Sequence, residues 1–278
     1  MQIRMALTLL ALAFLFSNGA NAETSLDRSK FHLFNPTPKE AMRGLNTDRP
    51  DKTESPYSVD AGHFQIETDL LVLSRDSSGG TTTENLGIMV SNLKLGLTDS
   101  IDFQAVVTPY TSVSDGSSKI SGFGDTTLRL KVNLFGNNGG DAAFALMPFV
   151  VLPTNSGGTG HKFFEGGLIA PLSFSLPGDW DMGTMFQYNR MKNDSNDGFH
   201  NEYVTSITFG HDIVGDLAGY VEFWNSFSSE TDSKWLATAD FGLTYRITPF
   251  IQFDAGMNIG VTDSADDLNP FLGFSALY

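Results

Sequence analysis

The sequence contains no cysteine, which removes several classes of protein from consideration. Disulfide bonds, catalytic thiols, thiolate metal sites and lipid attachment at a cysteine are all excluded. Cationic residues are also scarce, because 17 Lys and Arg stand against 32 Asp and Glu, for a net charge of −15. Since binding to nucleic acid needs a basic face, nucleic acid is not an expected partner.

Long apolar runs are absent as well, apart from one near the N-terminus. That run extends from Met5 to Phe16, follows a basic residue and ends before the small residues Ala20-Asn-Ala22. These are the parts of a cleavable secretory signal. The alternative is a membrane anchor, but the run is shorter than the roughly 20 residues that a spanning helix needs. We therefore predict a signal peptide at residues 1–22, cleaved near Ala22, and no transmembrane helix.

Much of the remaining chain shows the alternation of apolar and polar residues that is typical of β-strands. Between residues 236 and 262, apolar residues recur at every second position on both sides of a Thr248-Pro249 break. Because side chains alternate between the two faces of a strand, this pattern predicts a hairpin with one apolar and one polar face. Each arm exceeds the length of about 5 or 6 residues usual in globular proteins and matches the roughly 9 to 11 that cross a bilayer.

Twelve segments of this kind follow one another from residue 62 onward. Their approximate spans are 62–75, 84–97, 100–112, 122–135, 141–153, 163–176, 179–191, 200–213, 216–229, 235–247, 250–262 and 269–278. Short links and longer polar loops take turns between them, as in an outer-membrane barrel. The sequence therefore predicts an all-β fold, a transmembrane antiparallel up-and-down β-barrel of about 12 strands over residues 62–278. Segment 141–153 is an exception, since it is apolar on both faces and contains Pro148.

The polar faces of the clearer segments define the interior of this barrel. The charged residues assigned to it are Glu67, Asp69, Asp102, Arg129, Lys131, Glu222, Asp240, Arg246 and Asp254. Charges of opposite sign that face one another across a narrow space are expected to pair. Two roles stay open for them: contact with a solute, or filling the barrel interior by pairing with one another.

Residues 23–61 show neither strand nor helix periodicity. Prolines punctuate them at positions 36, 38, 50 and 56, so irregular chain is expected. Five charged side chains fall close together in this stretch, and they are Asp48, Arg49, Asp51, Lys52 and Glu54. A solvated linker is the interpretation that this pattern alone favours.

The chain ends in an alternating stretch whose last residue is Tyr278. Leu272, Phe274 and Ala276 share one face with it. An aromatic residue at this point is typical of bacterial outer-membrane barrels, where it lies at the membrane interface. We therefore expect localisation in the outer membrane of a Gram-negative cell, contact with outer-membrane lipid, and recognition of the last strand by the barrel-assembly machinery.

Five motifs resemble those of a known family. They are Thr47-Asp-Arg-Pro-Asp-Lys-Thr-Glu-Ser-Pro56, Gly122-Phe-Gly-Asp125, Pro148-Phe-Val-Val-Leu-Pro153, Asp254-Ala-Gly256 and Asn269-Pro-Phe-Leu-Gly-Phe-Ser275. Residues 47–278 are similar to the bacterial outer-membrane transporter family labelled "MetA-pathway of phenol degradation". One departure is the ending Ala276-Leu-Tyr278, where the family more often has an aromatic residue, Arg and Phe. Because Tyr278 keeps the aromatic end, membrane insertion is still expected.

The resemblance implies a porin-like transporter for small molecules, with aromatic or hydrophobic compounds as the expected solutes. It also favours an ordered plug or latch over a linker for residues 47–56. The hypothesis is that Asp48, Arg49, Asp51 and Glu54 dock against interior charges such as Arg129, Lys131 and Arg246. On this interpretation residues 1–22 are the signal peptide, 23–61 the irregular N-terminal segment and 62–278 the barrel.

Two other classes of function remain open: a barrel enzyme of the lipase or protease type, and a structural or adhesive barrel. An enzyme would need a nucleophile or clustered acids beside a histidine near the outer rim. His161 and His200 fall at loop ends, with Asp194, Asp197 and Glu202 near His200, but no nucleophile motif accompanies them. Short loops disfavour an adhesive barrel. We therefore expect no catalytic residue, cofactor or metal site.

Overall fold

The structure is a computed structural model that describes residues 27–193, 195 and 197–278. The predicted signal peptide, residues 1–22, lies outside the described residues. Two short 3-10 helices, Arg28–Lys30 and Lys39–Ala41, precede the first strand. Nowhere in the described part of the chain does a helix have the length and apolar character needed to cross a membrane.

From residue 64 onward the chain consists of strands joined by turns and loops. The strands are β1 (Phe64–Ser78), β2 (Thr81–Gly96), β3 (Ile101–Val107), β4 (Tyr110–Ser114), β5 (Lys119–Gly122), β6 (Thr126–Phe135), β7 (Ala142–Leu152), β8 (Glu165–Leu176), β9 (Trp180–Lys192), β10 (Phe199–Val214), β11 (Leu217–Ser228), β12 (Leu236–Thr248), β13 (Ile251–Gly260) and β14 (Leu268–Leu277). Each of the twelve predicted segments is a strand or an interrupted strand.

The strands close into one antiparallel barrel. Strands β3 and β4 are two halves of one barrel strand, since both pair with β2, and β5 and β6 are two halves of the next. Strand β1 pairs with both β2 and β14, so the sheet returns on itself. Closure leaves no free sheet edge. The predicted closed barrel of twelve antiparallel strands is confirmed.

The outer surface of the barrel is apolar. On β12, Phe241, Leu243 and Tyr245 are 46%, 49% and 52% exposed, whereas Asp240, which directly precedes Phe241, is 2% exposed. Exposed apolar residues that alternate with buried polar ones are the arrangement of a barrel with lipid outside and a polar interior.

The two ends of the barrel differ. One end carries short turns, such as those between β2 and β3 and between β12 and β13; we call it the short-turn end, and the opposite one the long-loop end. Residues 28–45 lie across the short-turn end. His32 forms a bridge with Thr98, and the Leu45 N–H donates to the Pro249 carbonyl at 3.0 Å.

Two arginines fasten this stretch to the barrel. The Arg28 guanidinium lies 2.8 Å from Asp60 and 3.3 Å from Asp99, and that of Arg43 lies 2.9 Å and 3.5 Å from the same two carboxylates. Since Asp99 belongs to the turn between β2 and β3, the four side chains tie residues 28–45 to the short-turn end.

Strand β7 corresponds to the predicted segment 141–153, which is apolar on both faces. Its Pro148 has no N–H, and the ladder between β6 and β7 is interrupted beside it. The residue before it belongs to a buried apolar cluster on the inner side of the wall. This cluster consists of Met147, Ile169, Met185 and Val204, with Phe149 and Trp224 packed against it. The interior is therefore apolar on the side of β7 to β10 and is not polar all round.

Candidate functional site in the barrel interior

Residues 46–60, here called the inner segment, lie inside the barrel. The chain reaches them from the short-turn end and returns to that end to begin β1. Polar contacts join the inner segment to strands all round the wall. The strands contacted are β1, β2, β3, β6, β8, β9, β10, β11, β12 and β13. The inner segment therefore crosses the interior and does not follow one wall.

Asp48 is the centre of a buried cluster of charges. Its carboxylate oxygens lie 2.6 Å from the Lys131 ammonium and 2.5 Å from that of Lys94. Glu67 accepts from the backbone N–H groups of Asp48 and Arg49 at 2.9 Å and 3.0 Å and also pairs with Lys94. Burial by itself would raise the pKa of Asp48, but the two ammonium groups outweigh it and hold this pKa below its ordinary range.

Arg49 joins the inner segment to strands β13 and β1 of the wall. Its guanidinium lies 2.6 Å from Asp254 on β13 and 2.5 Å from Asp69 on β1. It also lies 5.7 Å from the centre of the Phe271 ring, within cation–π range. Gly273 makes this approach possible, because a Cβ there would collide with the guanidinium.

Lys52 and Thr53 contact a second set of acidic side chains, those of Glu222 and Asp240. The Lys52 N–H donates to Glu222 at 2.8 Å, and its ammonium lies 3.3 Å from Asp240. The Thr53 hydroxyl donates to Glu222 and lies 2.6 Å from the Ser206 hydroxyl on β10. Because Thr53 is 4% exposed, its contacts with Glu222 and Ser206 are shielded from water.

Two of the docking pairs expected from the sequence are present. Asp48 pairs with Lys131, as described above. Glu54 Oε1 lies 2.5 Å from an Nη atom of Arg129. Both cations lie on β6, so the acidic residues at the two ends of the charged stretch meet the same strand.

Two other expectations differ from the structure. Asp51 lies beside a carboxylate and not beside a cation; burial and the neighbouring Glu222 together raise its pKa. Arg246 is exposed at the short-turn end of β12, so its assignment to the interior is wrong. It lies two residues from the end of the strand, where the alternation of faces no longer determines whether a side chain is enclosed.

Sequence reasoning did not assign Lys94 to the interior, although Lys94 is 1% exposed there and pairs with Asp48. Its segment has a less regular alternation than its neighbours. One signal could have found it: Lys94 stands between Leu93 and Leu95, and a lysine that alternates with leucines in a membrane strand is expected to face the interior, because burying an ammonium in lipid is costly. The other interior carboxylates, Glu67, Asp69, Asp102, Glu222, Asp240 and Asp254, are placed as predicted.

Among the cavities that the inner segment lines, two lie on opposite sides of its centre. The outer cavity, on the long-loop side, has a volume of about 350 Å³. Its apolar wall consists of Val72, Val90, Val106 and Phe271, and its polar floor includes Arg49, Lys52, Glu54 and Arg129. The inner cavity, on the short-turn side, has a volume of about 260 Å³ and is lined by Ser173, Thr208 and Tyr220, among others. Asp51 lines both cavities, so the inner segment separates them.

Each of the two histidines considered for catalysis lies beside one glutamate. His161 Nδ1 is 3.0 Å from Glu165, and His200 Nδ1 is 2.8 Å from Glu230. Asp194 lies outside the described residues. Within the described ranges, no group of three His, Cys, Asp or Glu side chains is placed to hold a metal ion. That the protein is not an enzyme stays a prediction.

Solved structures with a similar shape are outer-membrane proteins. The NanC porin has 13% identity and a TM-score of 0.48, covering 77% of this chain and 99% of its own. A loop L8 deletion mutant of OmpT, an outer membrane protein of Vibrio cholerae, has 11% identity and a TM-score of 0.41, covering 78% and 98%. A mutant of TodX, a monoaromatic hydrocarbon channel, has 12% identity and a TM-score of 0.39, covering 77% and 88%. At these TM-scores the similarity carries no inference about function.

Comparison of sequences gives one clear match. The family model described as "Putative MetA-pathway of phenol degradation" matches residues 47–278. The match begins at the inner segment and runs through the whole barrel. No curated protein matches the chain.

Proposed function

Because the chain belongs to the family described as "Putative MetA-pathway of phenol degradation", we propose that it is an outer-membrane channel for small molecules whose inner segment acts as a movable plug. The proposal rests on one observation. The inner segment interrupts the barrel interior between two cavities and is held there by polar contacts with ten strands. Barrels of eight strands are filled by side chains and those of 16 to 18 hold an open channel, so twelve strands provide a narrow passage that a segment of chain can block.

The proposed solutes are aromatic or hydrophobic compounds with a polar group. The outer cavity offers them an apolar wall and a charged floor. Beneath the inner segment lies the apolar cluster of Met147, Ile169, Met185 and Val204, which would line the passage once the segment moves. A cavity of about 150 Å³ lined by apolar side chains binds benzene. The outer cavity is therefore large enough for a substituted aromatic ring. The family description, which names phenol degradation, agrees with this class of solute.

Deleting residues 23–56 tests whether the inner segment blocks the passage. The full chain in a planar bilayer is expected to show little conductance, and the deletion variant a conductance higher by on the order of tenfold, because the interior of a twelve-strand barrel is then unobstructed. Single-channel recordings on both proteins measure this. A variant that folds as a barrel and conducts no more than the full chain would contradict the plug, and absence of solute uptake by both would contradict transport.

The same deletion variant is expected to select cations. It retains the interior acids Glu67, Asp69, Asp102, Glu222, Asp240 and Asp254 against the interior cations Lys94, Arg129 and Lys131. Rings of acidic side chains favour cations in a pore. The reversal potential in a gradient of potassium chloride reports the preference. Adding Glu222→Gln and Asp240→Asn to the deletion is expected to reduce it, and a deletion variant that selects anions would contradict this assignment of the interior charges.

A further inference from the structure

A patch of aromatic and cationic side chains lies on the outer face of the barrel near the long-loop end. We call it the rim patch. It consists of Phe163, Tyr188, Arg190, Lys192, Phe199 and Asn201. Tyr188, Arg190 and Lys192 alternate along β9 on the face that carries the exposed Phe186, so all three point away from the interior. The proposed channel function does not use them.

Contacts within the patch hold its two cations in place. The Lys192 ammonium lies 4.6 Å from the centre of the Phe199 ring and 5.0 Å from that of Phe163, and the Arg190 guanidinium lies 5.2 Å from the Phe199 ring. Asn201 accepts from the Tyr188 hydroxyl at 3.0 Å and from Arg190 at 2.8 Å. Long side chains that are already ordered lose less entropy when they bind a ligand.

The position along the strand places the patch at a membrane surface. Trp180, at the other end of β9, is 42% exposed and marks one interface. Arg190 lies ten positions after Trp180. At a rise of about 3.3 Å per residue and a strand tilt of about 40°, this distance spans about 25 Å along the membrane normal. The apolar band of outer-membrane barrels is about 25 Å tall. Arg190 and Lys192 therefore lie where the acyl chains end and the lipid headgroups begin.

Charge and geometry define the ligand that this patch fits. Among residues 27–193, 195 and 197–278, no carboxylate forms a salt bridge with the Arg190 guanidinium or the Lys192 ammonium. The buried Glu165 accepts a hydrogen bond from the backbone N–H of Lys192 at 2.9 Å. Asp197, an exposed residue of the following loop, attracts the Lys192 ammonium through its charge. A guanidinium beside an ammonium binds phosphate oxygens through charge-assisted hydrogen bonds.

We propose that the rim patch binds a phosphate-bearing headgroup of an outer-leaflet lipid. The phosphate sits between Arg190 and Lys192, and the exposed faces of Phe163 and Phe199 contact the first carbons of the acyl chains. Because the whole chain is acidic, with a net charge of −15, the patch provides an attachment for an anionic lipid that the rest of the surface does not favour.

The test is binding of a phosphorylated lipid to the folded, full-length protein in neutral detergent. Diphosphoryl lipid A is titrated and complexes are counted by native mass spectrometry, in parallel with the same lipid after removal of its phosphates. The double variant Arg190→Gln and Lys192→Gln is expected to lose on the order of tenfold in affinity for the phosphorylated lipid, since it lacks both charge-assisted contacts. The dephosphorylated lipid is expected to bind weakly to both proteins.

Two controls make the result decisive. The control double variant, Lys119→Gln with Lys234→Gln, removes the same charge from two exposed lysines outside the rim patch, and its affinity is expected to be unchanged. Circular dichroism and heat-modifiable migration verify that each variant is a folded barrel. Three outcomes would each overturn the proposal without bearing on transport. They are an equal loss of affinity in both double variants, binding of the dephosphorylated lipid as tight as that of the phosphorylated one, and an unchanged affinity of the rim variant.

Discussion

A disulfide between Thr53→Cys and Ser206→Cys is expected to stop passage through the barrel, and a reducing agent is expected to restore it. The two native hydroxyl oxygens lie 2.6 Å apart, one on the inner segment and one on β10, so their sulfur replacements lie within reach of each other. The bond would tether the centre of the plug to the wall. Because the native chain has no cysteine, no other disulfide can form within the molecule. Uptake of a small aromatic compound into proteoliposomes, measured before and after reduction, gives the result.

The control is a disulfide that joins two strands of the wall and leaves the inner segment free. Thr205 and Asn225 form such a pair between β10 and β11, with their side chains 2.9 Å apart. The variant that carries Thr205→Cys and Asn225→Cys is expected to take up the aromatic compound equally fast in its oxidised and reduced forms. Oxidised Thr53→Cys/Ser206→Cys protein that transports as fast as the reduced form would show that solutes pass without movement of the inner segment. The proposed plug would then be wrong.

Asp48→Asn is expected to have the largest effect of any single substitution on docking of the inner segment. The change removes the negative charge beside Lys131, which is 0% exposed and is also bonded to the Tyr57 carbonyl at 3.2 Å. The amide oxygen of Asn can still accept a hydrogen bond from Lys131, but it does not neutralise the ammonium. Lys94 keeps Glu67. Removing one partner of a buried ion pair costs about 3–5 kcal/mol, because the other charge stays buried without compensation. The midpoint of thermal unfolding should fall, and cleavage of residues 46–60 by an added protease should become faster.

A second substitution separates the charge effect from a loss of packing. Lys131→Met removes the charge left uncompensated, so the double variant with Asp48→Asn is expected to recover part of the lost stability, as a double-mutant cycle would show. Asp263→Asn, which changes an exposed loop residue, should leave both measurements unchanged. If Asp48→Asn matched the native protein in unfolding midpoint and in protease resistance, the buried cluster around Asp48 would not be what holds the inner segment.

The barrel was predictable because its pattern is repeated in every strand. Lipid contacts every second residue, so the alternation at Phe241, Leu243 and Tyr245 is needed for membrane insertion and is visible without any partner strand. The exception in β7 could not be resolved from periodicity. Its inner face is apolar because Met147 packs against residues of β8, β9 and β10, and such packing between strands leaves no trace in a single segment.

The sequence predicted that charges of the inner segment pair with charges of the barrel wall, but it predicted only some of the individual pairs. An acidic and basic stretch of chain inside a charged barrel has to find partners, and Asp48 with Lys131 was anticipated. Arg49 and Asp254 are 205 residues apart, and which carboxylate meets which guanidinium depends on how deep the inner segment enters and on the stagger of the strands. Arg246 alternates in phase with the interior residue Asp240 along β12, but it lies beyond the enclosed part of the barrel.

The sequence by itself determined a chain of amphipathic strands that closes into a membrane barrel, since these properties depend on residue type and on a period of two. The tertiary structure alone decided the path by which residues 46–60 enter the barrel and return. That path depends on a balance between the cost of taking charges out of water and the attraction of oppositely charged side chains held at hydrogen-bonding distance. Such a balance is set by three-dimensional positions, which neither composition nor spacing specifies.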